Sequence, residues 1–213
     1  MYRPFFIFSM KPKKARQYGL TDRERTCVLV SAFYATQNRI DAVRLLSKSK
    51  KLDKRLLVEL FFHLSLLLGF PTMLDGLEKL AVRKLLPRNA RRKRQTQGLQ
   101  KKGMDVLKHV YGDQASKLLT SLRRIHPDLP DMIVQDVYGK VIARSGMTLR
   151  ERELVNITVL TIQGLERQLY SHVRGALRVG VPAGVLRSLL LLLGRRFSVP
   201  VHSARQFLAE LAR

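Results

Sequence analysis

Leu20-Thr21-Asp22-Arg23-Glu24-Arg25-Thr26-Cys27-Val28-Leu29-Val30 and Met147-Thr148-Leu149-Arg150-Glu151-Arg152-Glu153-Leu154-Val155-Asn156-Ile157 are two versions of one helix start. Each places a Thr three residues before a Glu. The Thr hydroxyl can accept the third backbone N–H of a helix while the Glu reaches back to the N–H of the Thr, a capping box. Behind each box the apolar positions follow helical spacing, and no series of alternating strands interrupts them. This stretch therefore predicts an all-α chain that carries the same helical unit twice.

The likeness extends downstream. Each copy continues into a leucine-rich helix, then a proline (Pro71 and Pro200), then a short amphipathic helix over Leu74–Leu80 or Ala204–Leu211. The second threonine follows the first at an interval of 127 residues (148 − 21). A repeat of this kind buries its apolar faces against its sister, which predicts tandem units around one shared core. The expected organisation is a basic, targeting-like arm over 1–19, a degenerate first unit over 20–82, a basic linker over 83–102 and the fuller unit over 103–213.

Composition narrows the function classes. Hydrophobic residues make up 46% of the 213, enough for a core and against general disorder. Forty Lys and Arg face 16 acids, a formal charge of +24. Such an imbalance repels itself in a lone domain and is relieved by a polyanion, whose phosphates release counterions on binding. The linker from Arg83 to Lys102 holds nine Lys or Arg and no acid, centred on Arg91-Arg92-Lys93-Arg94. The arm carries Lys13, Lys14 and Arg16 beside Phe5, Phe6 and Phe8, pairing phosphate contacts with stacking rings. Its lack of acids also resembles an organellar targeting segment. More arginines decorate the last helices, Arg174, Arg178, Arg187, Arg195, Arg196 and Arg205 among them. The run from Leu56 to Phe70, interrupted by Glu59 and His63, is too short to span a bilayer, so no transmembrane segment is expected. Cys27, the single cysteine, can form neither an intrachain disulfide nor a cysteine metal cluster, and reads as a core residue.

Four segments of the second half, in order, carry a family resemblance: Gly103–Gly112, Tyr138–Met147, Arg150–Gly164 and His172–Val181. Their order and spacing resemble the carboxymuconolactone decarboxylase-like family, which includes the alkylhydroperoxidase D-like proteins; Leu20–Leu80 matches more weakly. The resemblance implies an all-α fold that oligomerises, and two chemistries. The peroxidase branch needs Cys-x-x-Cys before a His, because a thiolate attacks peroxide and a second thiol resolves it. Here Glu166–His172 contains no cysteine. The decarboxylase branch is expected to use a Glu and a His four apart, on one helix face, with a second His on the following helix. In the second copy the Glu position is Gln168, His172 is kept, and the second His position falls on Leu192. In the first copy the upstream pair reads Asp41 and Leu45, whereas Glu59 and His63 stand four apart before Gly69-Phe70-Pro71. Neither copy holds a full set. A composite of His172 with Glu59 and His63 would form if the copies pack as two family subunits do.

These readings predict a family-derived scaffold that has shed the enzyme's chemistry and binds RNA through phosphate contacts from Lys13, Lys14, Arg16, Arg91, Arg92, Lys93 and Arg94. Its natural setting is an organellar, mitochondrial ribosome among other ribonucleoprotein subunits, with a cytoplasmic location otherwise. The alternative is a decarboxylase-like enzyme that acts on a lactone or small acid through Glu59, His63 and His172, with homo-oligomerisation. A third reading is a scaffold subunit of another organellar complex. None of the three calls for a cofactor or a metal.

Overall fold

The computed structural model describes residues 19–48, 53–87 and 98–212, so Lys13, Lys14, Arg16, Arg91, Arg92, Lys93 and Arg94 lie outside the described residues. Among the described residues every regular element is helical. They run α1 (Asp22–Ala35), α2 (Arg39–Lys48), α3 (Lys54–Val82), α4 (Leu99–Tyr111), α5 (Gln114–Ile125) and a single turn, α6 (Leu129–Asp131), which leads into a π-helix (Met132–Ile142). Then come α7 (Leu149–Gln163), α8 (Glu166–Arg178), α9 (Ala183–Phe197) and α10 (His202–Leu211).

Both capping boxes form. Thr21 Oγ1 accepts from the Glu24 N–H at 3.2 Å, and Glu24 accepts from the Thr21 N–H at 2.8 Å. Thr148 and Glu151 repeat this at 3.1 and 2.8 Å. The two helices so started, α1 and α7, lie against each other at the centre. Cys27–Tyr34 and Glu151–Thr161 are buried on every side, as interior helices are.

Their contact is reciprocal. Arg23 Nε donates to Glu151 at 2.8 Å, and Arg150 Nε pairs with Glu24. Arg23 also reaches Asp53, and Arg150 reaches the Gly180 carbonyl, again at positions 127 apart. When position i meets j and j meets i, the halves are packed as in a two-fold dimer. The rest follows suit: α2 lies on α1 as α8 lies on α7, and α10 closes on α8 and α9.

The leucine-rich helix of the first copy, α3, is broken at Gly69, whose φ of 82° and ψ of 165° leave the helical region two residues before Pro71. By length and composition α3 could cross a membrane. Here the break divides it, and Leu56, Leu57, Leu60, Phe61 and Leu64 are buried inside the bundle. One apolar cluster runs through both halves, from Leu20 to Leu208, and is the shared core. A smaller cluster of Leu107, Ala115, Tyr138 and Ile142 joins α4 and α5 to the π-helix. There the backbones cross so closely that a Cβ on Gly103 would lie 1.9 Å from the Val134 carbonyl oxygen, and one on Gly139 2.5 Å from that of Leu99. Only glycine permits that approach.

Candidate active site

Three helices place polar side chains at one point in this apolar interior. The central helix α7 supplies Arg152, Glu153 and Asn156, all buried although α7 is otherwise lined with Leu, Val and Ile. From the first half α3 contributes His63, which is 1% exposed, and from the second half α8 contributes His172. Buried polar groups must be paired, and the pairing fixes the protonation pattern.

Arginine can only donate, so Arg152 Nη1, 3.3 Å from His63 Nδ1, requires a lone pair on that nitrogen. The His63 proton is then on Nε2, which donates to Asn156 Oδ1 at 2.8 Å. Burial, with the Arg152 charge added, holds His63 down to about 3, in keeping with a neutral ring. With its oxygen committed, Asn156 turns its Nδ2 toward Glu153, 3.3 Å from Oε1, and toward His172 Nδ1 at 3.2 Å. The shorter contact of His172 Nδ1 is with Glu153 Oε2, at 2.8 Å. A carboxylate accepts, so His172 donates its Nδ1–H to Glu153. Nε2 makes no hydrogen bond to any described residue, and the side chain keeps 18% exposure. An imidazole oriented through Nδ1 by a buried carboxylate, with Nε2 available, is the arrangement of a general base and its orienting partner.

The composite is therefore assembled in part. His63 and His172 come together from the two halves, linked through Asn156 and Glu153. Glu59 does not supply the carboxylate of His172. It makes a bidentate pair with Arg144, at 2.7 and 2.9 Å, and the Arg144 guanidinium sits 4.4 Å from the centre of the Phe62 ring. Arg144 in turn offers its backbone carbonyl to Arg152 Nη2 at 3.0 Å. Burial lowers Arg152 to about 10, and its Nε is buried without a hydrogen-bond partner. Gln168, at the expected Glu position, is exposed.

Sequence reasoning missed Glu153, Asn156, Arg152 and Arg144. The available signal was the Glu153 and Asn156 pair, three apart in a helix whose cap already uses Glu151. The other half shows the apolar counterpart of the site. At the same interval Thr26, Leu29 and Leu45 stand where Glu153, Asn156 and His172 do. On α9, the counterpart of α3, Leu189, Leu190, Leu192 and Leu193 are buried. One of the two related positions is thus plain apolar core, and the other is a buried polar network.

On the other side of Glu153 stand Tyr111 and Tyr138, rings 6.4 Å apart, both raised above the usual phenol range by burial, with the Glu153 charge contributing. Cys27 is fully buried on α1, where desolvation raises its thiol. It is remote from any partner thiol, so the peroxidase arrangement is absent among the described residues. There is also no cluster of three or more His, Cys, Asp or Glu among them that could hold a metal ion.

The sequence model of the carboxymuconolactone decarboxylase family matches residues 127–195, from the loop before α6 to the end of α9. The match spans Arg144, Arg152, Glu153, Asn156 and His172, while Glu59 and His63 lie in the half outside it. No curated protein gives a significant match to the chain.

Proposed function

With residues 127–195 as a carboxymuconolactone decarboxylase-family domain, we propose that the chain is a proton-transfer enzyme acting on a lactone or related small acid, with His172 as the base. The observation that carries this is the 2.8 Å Glu153–His172 contact, which leaves Nε2 for substrate. His172 takes a proton through Nε2, and the buried Glu153 carboxylate stabilises the imidazolium so formed. Asn156 donates to Glu153, and neutral His63, held by Arg152, fixes Asn156. The carboxylate that Gln168 cannot supply comes from the preceding helix.

The test is turnover of γ-carboxymuconolactone by the full chain, followed by ultraviolet absorbance and released carbon dioxide. His172→Ala should lower the rate by a factor of about 10²–10⁴, the usual share of a positioned acid or base. Glu153→Gln should lower kcat more than it alters KM. Wild-type protein that does no better than buffer, or a His172→Ala variant as active as wild type, overturns the reading.

A second reading is favoured by a different observation, the charge of +24. On it the chain is a non-catalytic scaffold on ribosomal RNA in an organelle such as the mitochondrion, holding phosphates through Lys13, Lys14, Arg16, Arg91, Arg92, Lys93 and Arg94. Co-sedimentation of the native protein with ribosomal particles, lost on nuclease treatment, supports it. Retention after complete RNA digestion favours a protein partner, as in a scaffold subunit of another complex.

A further inference from the structure

We infer that the cleft between the α4–α5 turn and α8 is a phosphate site, built around Arg174 and Arg178. The cleft has a volume of about 380 Å³ and is lined by Tyr111, Asp113, Gln114, Arg174 and Arg178. The two arginines are one turn apart on α8, so they present their guanidinium groups on one face. Arg174 is stacked, and Arg178 is exposed beside a glycine turn. Arg174 lies 5.0 Å from the centre of the Tyr170 ring. Arg178 lies across the turn at Gly112, where φ is +55° and a Cβ would fall 1.9 Å from Nη2. Glycine at this turn is what allows the guanidinium its position.

Neither arginine forms an ion pair with a carboxylate of the described residues, although four other arginines, Arg23, Arg39, Arg144 and Arg150, do so across the fold. The one acid on the cleft, Asp113, is exposed and makes no ion pair with either. Two guanidinium groups without a carboxylate partner, with a phenol and an amide nearby, match a tetrahedral oxyanion, which takes forked donors from several sides. The positive surface continues along α5, which has no acidic residue. Ser116, Lys117, Thr120, Ser121 and Arg124 on the same helix line a second hollow of about 280 Å³. A second phosphate on the same strand would meet that hollow, so the pattern fits a phosphodiester backbone as well as a free phosphate. The inference stands independently of the proton-transfer reading, since none of these residues belongs to the His172 network.

The experiment compares the full chain with Arg174→Gln/Arg178→Gln. A control, Arg187→Gln/Arg205→Gln, removes the same charge from α9 and α10. Binding of a fluorescent single-stranded RNA 20-mer is measured by anisotropy from low to moderate salt, and the melting temperature is followed in inorganic phosphate. With RNA as the source, the double variant binds more weakly and its log Kd against log salt slope flattens by about 1.4, roughly 0.7 for each single-strand phosphate contact. The control keeps the wild-type slope. With free phosphate as the source, phosphate raises the melting temperature of wild type and control but not of the double variant. If the control loses as much as the double variant, general charge and not this cleft is responsible, and the inference is overturned. It is equally overturned if neither ligand separates the double variant from wild type. Circular dichroism at 222 nm shows that each variant keeps its helices. Gly112→Ala, which displaces Arg178 without removing charge, should weaken the same ligand.

Discussion

Replacing His63 by Leu removes one hydrogen-bonding ring from a fully buried chain of contacts while filling similar space. Two groups lose a partner: Asn156 Oδ1, now 2.8 Å from His63 Nε2, and the Arg152 Nη1, 3.3 Å from Nδ1. A buried acceptor left unsatisfied costs about 1–3 kcal/mol, and a charged donor more. Arg152 already has its Nε unpaired, so it has no spare acceptor to turn to. Against this stands an apolar gain of about 1.5–3 kcal/mol for a fully buried leucine. The net expectation is a loss of about 2–4 kcal/mol, a large part of the roughly 5–15 kcal/mol that keeps a domain folded.

Asn156→Leu alone should cost a similar amount, because it orphans the His63 Nε2–H and strips a donor from Glu153. Together, His63→Leu/Asn156→Leu rebuilds part of the leucine-lined arrangement that Leu29 already makes in the other half. With both partners of the bond replaced by apolar groups, its orphan penalty disappears. The double variant should therefore lose about 1–2 kcal/mol less than the sum of the single losses. Urea unfolding followed by circular dichroism supplies the numbers, provided the m-value is unchanged across the set. Strict additivity, within about 0.5 kcal/mol, would mean that His63 and Asn156 do not share a hydrogen bond, and the network as described would be wrong.

Burial and the Arg152 charge hold folded His63 down to about 3 against an ordinary value of 6.5, so between those values the unfolded chain binds the extra proton. Its contribution to stability is complete above about pH 6.5 and is lost toward pH 3 at up to about 1.4 kcal/mol per pH unit; unfolding free energies from urea melts at pH 7 and pH 5 should differ by about 2 kcal/mol more in wild type than in His63→Leu. Cys27, fully buried with its thiol raised by desolvation, should react with Ellman's reagent only as fast as the protein unfolds; rapid labelling in native buffer would contradict its placement. Arg150→Ala leaves the buried Glu24 without its cross-half partner and should cost about 1–3 kcal/mol, whereas Arg150→Ala/Glu24→Gln should recover part of that loss in the same melts.

What the sequence made legible followed from how local each feature is. Thr21 and Thr148 announce their helices because a capping box is completed within four residues. The paired halves were legible for the same reason, since the two boxes repeat in register and Arg23 and Arg150 then had symmetric glutamates to meet. His63 and His172 were legible as survivors of a spacing. Their partners were not. Four-apart logic assigned Glu59 to the histidines, but its fork is Arg144, 85 residues away, and such a pairing depends on how the chain folds back after the π-helix. Glu153 meets His172 across 19 residues and a helix turn, so neither side chain's periodicity points to the other.

The asymmetry between the halves follows from what each burial costs. The leucines of α9 pack in the shared apolar core with no hydrogen bond to satisfy. The network at α3, α7 and α8 buries Glu153, Asn156, His63 and Arg152, and leaves one donor, Arg152 Nε, unpaired. Replacing one member at a time orphans its partners, whereas an apolar replacement of a whole buried polar set is often neutral or better. Leu29 and Leu45 stand for the apolar alternative, whereas Asn156 and His172 belong to the polar set on which the proton-transfer proposal rests.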